Sequence, residues 1–326
     1  MIVGRKWLAA LVFILLAFAA GCYGKSIPEG PQSSPASPEY SLRILRVGLV
    51  DKLYSLDPSA IATWDELFVA TQIHEGLVLL SSDGSIKPGL ASAWEVNKGG
   101  TQYVFHLSPE ARFSNGRKIT SRDVKLSWER SARIRPDTVL PLLKSVKGMP
   151  AGLNGVEAKG DNSLVIELET PDPFLLHSLS HPLLAVVDLQ PTNTSVGIPG
   201  CGPFQVVEWI PGEMLTLEKN PEYHGPQQII ERIEIRWEGT APENALVDFS
   251  AGDLDLVVEL PAMYYRHIVK EPFLESSLRR YRPSGSKGNW PANPEHPFGL
   301  TLVAEKIEGL DADALGRLDL RGIVFK

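Results

Sequence analysis

The feature that most restricts the fold lies between residues 229 and 260, where a strand pattern, a helix pattern and a second strand pattern follow one another. The three stretches are IIERIEIRW, PENALVDFSAG and DLDLVVEL. Two strands joined through a helix lie parallel in one sheet, because the helix carries the chain back to the end where the first strand began. This crossover unit predicts a mixed α/β fold.

Apolar spacing elsewhere also alternates between strand and helix patterns. A buried strand is predicted over 42–50, and apolar residues at three- and four-residue spacing predict a helix from Trp64 to Leu80. Thr120 followed by Asp123 resembles a capping box and predicts a helix through SRDVKLSWERSARI. Hairpins are predicted where turn residues separate strand patterns: SAWEV with TQYVFHL, residues 155–169, and FQVVEW with MLTLEKN.

The first 21 residues have the layout of a bacterial secretory signal. Arg5 and Lys6 precede an apolar run that is short for a membrane span and ends in small residues. The end of this run, FAAGC, resembles a lipobox, although Ala19 stands where that motif more often has leucine. We therefore predict a lipoprotein signal peptide over 1–21 and a lipid anchor on Cys22 that holds the protein to a membrane. Ordinary signal cleavage beside an incidental cysteine is the alternative.

Residues 22–41 form a predicted tether, since they are rich in proline, serine and glycine and have almost no aliphatic residues to bury. An acylated Cys22 would leave Cys201 without a disulfide partner, because the chain has two cysteines. The formal net charge is −7, and removal of a signal with basic but no acidic residues makes it more negative. Binding to a nucleic-acid backbone requires the opposite sign, so no nucleic-acid partner is expected.

Five longer segments carry a family resemblance. They are LDPSA, HEGLVLLSSDGSIKPGLASAWEV, YVFHLSPEARFSNGRKITSRDVKLSWER, GCGPFQVVEWIPGEMLTLEKNPEYHG and AGDLDLV. In order and approximate spacing they resemble the extracellular solute-binding protein family 5, the dipeptide-, oligopeptide- and nickel-binding components of ABC importers. The resemblance implies a periplasmic-binding-protein-like (class II) α/β lobe with a mixed sheet over 42–269. An incomplete or divergent segment is expected over 270–326, with an incomplete second lobe.

Cys201 lies between two glycines and directly before the dipeptide Gly-Pro. A reactive thiol, a metal ligand and a turn residue are the three interpretations of such a cysteine, and no histidine lies near it in sequence to activate it. In the family this segment is usually Gly-Thr-Gly-Pro followed by an aromatic residue, so Cys201 replaces the threonine. We therefore predict a structural turn, which larger residues could not form. Its residues are Gly200, Cys201, Gly202 and Pro203.

In family members the loop and the helix start after LDP border the ligand cleft. The spacing from LDP to EGL in this chain suits that alignment, which places Trp64, Asp65 and Glu66 near the ligand. The aromatic face would meet apolar groups of a peptide, and the carboxylates would meet its amine. The alternative is that Asp65 and Glu66 only favour the helix N-terminus through its dipole.

No cofactor and no metal site is predicted. His177 and His181 are four residues apart, which can place two ligands on one helix face, but two are too few and Pro182 ends any helix there. His74, beside EGL, is interpreted as a packed residue. Asp253 and Asp255 could suggest acid–base chemistry, but the resemblance implies a structural role for their segment.

The predicted function is that of a membrane-anchored, extracytoplasmic solute-binding lipoprotein of a peptide-type ABC importer. It would act as a monomer that captures a peptide-like solute by lobe closure and delivers it to the permease subunits, without chemical conversion. A truncated or degenerate relative that keeps the anchored scaffold without uptake is the alternative. An extracytoplasmic enzyme on the same fold is the third hypothesis.

Overall fold

The computed structural model describes residues 43–81, 84–190, 197–237, 242–260, 262–268, 270–272, 277–280 and 300–303. All of them belong to the second of the two units into which the chain divides, residues 41–326. The predicted signal, Cys22 and the tether lie outside the described residues, as does most of 270–326. Every helix within these ranges is too short or too polar to span a lipid bilayer.

The described elements alternate between strands and helices. The strands are β1 (Ile44–Leu49), β2 (Val78–Leu80), β3 (Ile86–Pro88), β4 (Ala91–Val96), β5 (Gln102–Leu107), β6 (Val156–Lys159), β7 (Ser163–Glu167), β8 (Phe204–Ile210), β9 (Met214–Lys219), β10 (Arg232–Trp237), β11 (Leu256–Leu260), β12 (Leu278–Arg280) and β13 (Leu300–Val303). The α-helices are α1 (Trp64–Ile73), α2 (Ser121–Ile134), α3 (Pro136–Leu142), α4 (Leu175–Leu179), α5 (Pro242–Ala251) and α6 (Tyr265–Ile268). Short 3-10 helices cover Pro58–Ala60, Pro182–Leu184 and Ala262–Tyr264.

The main sheet has seven described strands in the order β12-β13-β11-β1-β10-β9-β8. β1 lies between β10 and β11 and is parallel to both, with Val47 paired to Ile235 on one side and to Leu256 on the other. β9 and β13 add antiparallel neighbours to this parallel centre. The predicted mixed α/β lobe is confirmed. The crossover strands β10 and β11 are parallel but not adjacent, because β1 is inserted between them.

Helices cover both faces of the main sheet. One face carries a buried cluster of α1 with alternate residues of β1: Phe68, Val69 and Ile73 with Leu45, Val47 and Leu49. The other face carries a cluster of α5 with β11: Ala245, Leu246 and Phe249 with Val257 and Leu260. Leu256 and Val258 belong to the first cluster, on the face opposite Val257, as the alternation of side chains along a strand requires. The register shift of β11 against β13 between Val257 and Leu260 interrupts this alternation, and Leu260 joins the α5 cluster. The helix after β1 and the helix after β10 therefore lie on opposite faces.

A second, four-stranded antiparallel sheet has the order β4-β5-β7-β6 and shares a separate core with α2. The predicted hairpins are confirmed, since β4 pairs with β5, β6 with β7 and β8 with β9. The capping box of α2 is also confirmed. Asp123 N donates to Thr120 Oγ1 at 3.4 Å, and Thr120 N donates to the Asp123 carboxylate at 2.8 Å.

The helix predicted from Trp64 to Leu80 is wrong at its C-terminal end, because α1 stops at Ile73. His74 takes an extended conformation, and Glu75 forms a β-bridge with Val186. Leu77 is fully buried beyond the helix, in the core shared with α2. Its apolar spacing continued the helical pattern, but the burial comes from contacts with distant parts of the chain.

Candidate functional site

The parallel strands β1, β10 and β11 end at one common edge of the main sheet. The chain leaves β1 towards one face and leaves β10 towards the opposite face. Such a switch point opens a crevice outside the carboxyl ends of the strands, which is where α/β proteins bind ligands. The segment over 50–63, which we call the β1–α1 loop, begins at this crevice.

Asp65 and Glu66 lie at the start of α1, and both carboxylates are buried, with 1% and 4% of the residue exposed. Asp51 N donates to Asp65 Oδ2 at 2.7 Å. Ala62 N and Thr63 N donate to Glu66 Oε2 at 2.7 and 3.2 Å, and Tyr54 N lies 3.4 Å from Oε1. Together with Thr63 Oγ1, which accepts from Glu66 N, this completes a capping box. The two carboxylates therefore hold the backbone of the β1–α1 loop, and a ligand-facing role for them stays a prediction.

Other side chains around this loop are exposed. Tyr54 of the loop is 78% exposed, and the predicted ligand residue Trp64, at the first position of α1, is 40% exposed. Asp51, two residues after the end of β1, is also exposed. The sequence interpretation did not single out Asp51 or Tyr54, because both precede the LDP motif. Both follow a strand of the parallel sheet, at the end where α/β proteins bind ligands.

The LDP motif ties the β1–α1 loop to α2. Asp57 accepts hydrogen bonds from Ser59 N at 2.9 Å and from Arg130 Nη1 at 2.9 Å, and it forms a second contact with Arg130 Nη2. Burial opposes ionisation of Asp57, but the hydrogen bonds from Arg130 and Ser59 outweigh burial and lower the pKa of this carboxyl. Arg130 lies on α2, whose buried face shares a core with the four-stranded sheet, so this ion pair fixes the loop to the helix that covers the second sheet.

The Gly200–Pro203 turn lies against the C-terminal end of α1. A Cβ on Gly200 would lie 2.0 Å from Ile73 O, and a Cβ on Gly202 would lie 2.6 Å from Gln72 O. The turn also bonds to α1 directly, since Gly202 N donates to Ile73 O at 2.8 Å. Glycine is required at both positions because any side chain would overlap backbone atoms of α1.

Cys201 is fully buried within this turn. Its Sγ lies 3.4 Å from Val186 O and 3.7 Å from Glu75 O, so the thiol donates towards the carbonyls of the two residues that form the β-bridge. A threonine hydroxyl at the same place would have the same acceptors. Burial without access for a substrate favours a packing role over a reactive thiol.

His74 connects the turn to the β1–α1 loop. The ring is buried, and Nε2 lies 2.9 Å from Leu56 O, which places the proton of the neutral ring on Nε2. Burial lowers the pKa of His74 to about 4. On its other side, Nδ1 is 2.8 Å from the position of a Cβ on Gly200. The interpretation of His74 as a packed residue is confirmed.

The remaining titratable residues of interest are an exposed histidine and two residues with structural hydrogen bonds. His177 is exposed on the short α4, which ends at Leu179, and His181 caps the next 3-10 helix by accepting from Leu183 N at 3.2 Å. Burial lowers the pKa of His181. Buried Asp255 forms a bidentate pair with Arg46 at 2.8 and 3.0 Å. Among the described residues no three His, Cys, Asp or Glu side chains are placed to hold a metal ion.

Comparisons with known proteins agree with this architecture. The sequence model of "Bacterial extracellular solute-binding proteins, family 5 Middle" matches residues 85–299. The chain is 24% identical over 320 residues to the probable deoxycholate-binding periplasmic protein YgiS of Escherichia coli K12, covering 84% of this chain and 57% of that protein. It is 29% identical over 196 residues to the periplasmic oligopeptide-binding protein OppA of the same strain, covering 53% and 35%.

Solved structures show the same fold. The Haemophilus influenzae OppA complex with the peptide RPPGFSPFR matches with a TM-score of 0.65 at 24% identity, over 73% of this chain and 50% of that one. The Escherichia coli murein tripeptide-binding protein MppA matches with a TM-score of 0.64 at 21% identity, over 73% and 50%. The chain spans about half the length of the curated relatives it matches. It belongs to the bacterial extracellular solute-binding proteins of family 5.

Proposed function

We propose that this chain is the extracytoplasmic solute-binding lipoprotein of a peptide-type ABC importer. It binds a peptide-like solute at the crevice outside β1 and β10, closes a second lobe over it and delivers it to the permease subunits without chemical conversion. The observation that carries the proposal is the family match over 85–299, combined with a topological switch point beside the β1–α1 loop.

The relatives support a peptide-like solute but not a single compound. Their names include oligopeptide-, D,D-dipeptide- and deoxycholate-binding proteins, each described as periplasmic. All are binding proteins by name, which supports a carrier over an enzyme. The described lobe supplies one wall of the crevice, so ligand identity also depends on residues outside it.

The test is thermal unfolding of the full chain alone and with a pool of di- and tripeptides. A ligand that binds only the native state stabilises it by about 2.7 kcal/mol at a hundredfold excess over Kd, and the unfolding midpoint rises. A cooperative transition that moves upward with the pool supports the proposal. A cooperative transition with an unchanged midpoint contradicts peptide binding.

The anchor is a separate part of the proposal. Residues 1–21 act as a lipoprotein signal, Cys22 carries the lipid and residues 22–41 act as a spacer. In cells fed radiolabelled palmitate, the wild-type chain should be labelled and should sediment with membranes, whereas Cys22→Ser should be unlabelled. Cys201→Ser is the matched control and should remain labelled. Equal labelling of the wild type and Cys22→Ser would contradict the anchor.

The second candidate function is an anchored scaffold without uptake. The burial of Asp65 and Glu66 favours it, because both predicted ligand-facing carboxylates are used within the loop. Such a scaffold would unfold cooperatively without responding to peptides.

A further inference from the structure

We propose that Arg130 is a positioning residue for solute binding, which acts through Asp57 and Ser59 on the β1–α1 loop beside the crevice. The inference rests on the proposed solute-binding function and adds to it a determinant of affinity on α2, outside the main sheet. Arg130 affects how tightly the solute binds without contacting the solute.

The guanidinium of Arg130 reaches two residues of the loop at once. Nη1 donates to Asp57 Oδ1 at 2.9 Å and to Ser59 Oγ at 2.7 Å, and Nη2 donates to Asp57 Oδ2. Ser59 Oγ in turn donates to Asp57 Oδ1 at 2.7 Å. The planar fork of an arginine can bond both oxygens of one carboxylate, which the point charge of a lysine does not match. The contact therefore depends on an arginine and not on a positive charge alone.

This contact is largely shielded from water. Ser59 is fully buried, and the side chains of Asp57 and Arg130 are 17% and 24% exposed. Hydrogen bonds between charged groups are stronger at such a site than at an open surface, because water competes less for the partners. Without Arg130, the Asp57 carboxylate would lose its cation at a position where burial opposes its charge. The loop around Asp57 is then expected to rearrange.

The same part of the loop is held from α1 as well. We call residues 56–59 the base of the β1–α1 loop. Leu56 O accepts from His74 Nε2 at 2.9 Å, at the C-terminal end of α1. Ser59 N donates to Asp57 Oδ1 at 2.9 Å, which caps the 3-10 helix that follows. The base therefore lies between α1 and α2, and Arg130 supplies the contacts from α2.

A second fixed point follows a few residues later. Ala62 N and Thr63 N donate to Glu66 Oε2 at 2.7 and 3.2 Å, so the backbone is held both at the base and at the start of α1. A binding loop that is held at two points loses less conformational freedom when a solute binds. Loss of Arg130 releases one of these points, and the solute then has to order the loop at the expense of its own affinity.

The binding experiment uses the full chain with a pool of di- and tripeptides as the probe. Isothermal titration calorimetry, well below the unfolding transition, gives the pool concentration for half saturation. This concentration should rise about tenfold in Arg130→Gln. Asp57→Asn and the double variant should bind as weakly as Arg130→Gln but no more weakly, because residues that act through one contact are not additive. Arg133→Gln, which changes an exposed arginine on the same helix, is the matched control and should bind like the wild type.

Hydrogen exchange of the solute-free chain tests the positioning itself. The amides between Leu56 and Thr63 should exchange faster in Arg130→Gln than in Arg133→Gln, and a saturating peptide pool should slow them again. Arg130→Lys is a milder variant that serves if Arg130→Gln does not fold. It keeps the charge but loses the fork, so both its exchange rate and its half-saturating concentration should exceed those of the wild type.

The outcomes separate this inference from the proposed function. If the pool does not bind the wild type, the proposed function fails and the inference fails with it. If the pool binds Arg130→Gln and Arg133→Gln equally, solute binding stands and the role of Arg130 is overturned, even where Arg130→Gln has lost stability towards urea. Weaker binding with unchanged exchange between Leu56 and Thr63 also overturns it. A double variant that binds more weakly than either single variant contradicts action through Asp57.

Discussion

The Gly200–Pro203 turn and the β1–α1 loop are fixed to α1 in opposite ways. The turn approaches the C-terminal end of α1 so closely that side chains are excluded, and its cysteine is fully buried. The loop is held at the N-terminal end of α1 by buried carboxylates that bind its backbone, while Tyr54 and Asp51 stay exposed. The turn has glycines where side chains would overlap α1, and its cysteine is buried. The loop has its backbone held by hydrogen bonds and exposes side chains to solvent.

This difference shows why the most recognisable motif is not the most informative about ligands. The Gly-Cys-Gly-Pro sequence is recognisable because backbone contact with Ile73 and Gln72 permits few residue types. The exposed positions of the loop are free of such packing constraints, so the residues there can differ between proteins that bind different solutes. Specificity is therefore expected in the loop and stability in the turn.

The largest expected loss of stability is at Gly200. In Gly200→Ala the new Cβ would overlap Ile73 O, a backbone atom that cannot move without displacing the end of α1. We expect a loss of at least about 4 kcal/mol in the free energy of unfolding, measured with urea. Gly152→Ala is the control, since its Cβ would meet nothing closer than 3.7 Å, and it should change stability by less than about 1 kcal/mol. Similar losses in both variants would contradict the close approach.

The next largest effect is the contribution of His74, which joins the turn to the loop, to the pH dependence of the free energy of unfolding. Its pKa is lowered to about 4 in the folded chain, from an ordinary value of 6.5. Below pH 6.5 the unfolded chain takes up a proton that the folded chain does not, so stability is lost as pH falls towards 4. The loss should reach about 3 kcal/mol.

His74→Gln tests this, because glutamine keeps a donor for Leu56 O and does not titrate. Its stability should fall less between pH 7.5 and 4.5 than that of the wild type. His177→Gln, at an exposed position, should follow the wild type. The same acid loss in the wild type and in His74→Gln would show that His74 is not responsible.

A smaller effect is expected in the loop. Glu66→Gln replaces one acceptor oxygen by an NH₂ group that faces the N–H groups of Ala62 and Thr63, or that of Tyr54. We expect a loss of about 1–3 kcal/mol and faster hydrogen exchange at these amides. Glu213→Gln, in the exposed turn after β8, should change neither quantity. Unchanged exchange at residues 54, 62 and 63 would contradict the role of Glu66.

The smallest effect is expected at Cys201. A hydroxyl in Cys201→Thr can donate to Val186 O or Glu75 O as the thiol does, and the side chain is of similar size. The free energy of unfolding should change by less than about 1 kcal/mol. Cys201→Leu, which adds volume to a fully buried position, should cost about 1–3 kcal/mol. A large loss in Cys201→Thr would show that the thiol has a specific role.

The sequence by itself determined the local elements and the family. The hairpin of SAWEV with TQYVFHL and the capped helix from Ser121 could be predicted, because each depends on residues a few positions apart. The crossover unit could be predicted because its strand, helix and strand patterns follow one another directly in the sequence. The turn at Gly200 could be recognised as structural. The first residue of the helix at Trp64 could be predicted but its last residue could not. Apolar periodicity does not show whether a residue is buried as part of the helix or by contacts with distant parts of the chain.

The tertiary structure decided which groups meet. The insertion of β1 between β10 and β11 joins residues about 190 or more positions apart, and it creates the switch point. The contact of Gly200 with Ile73, and the burial of Asp65 and Glu66 beneath the loop, likewise depend on how sheets and helix pack. A charged residue in a sequence pattern shows that a carboxylate is present. Only packing decides whether that carboxylate accepts hydrogen bonds from the backbone, as Glu66 does, or is exposed to solvent, as Asp51 is.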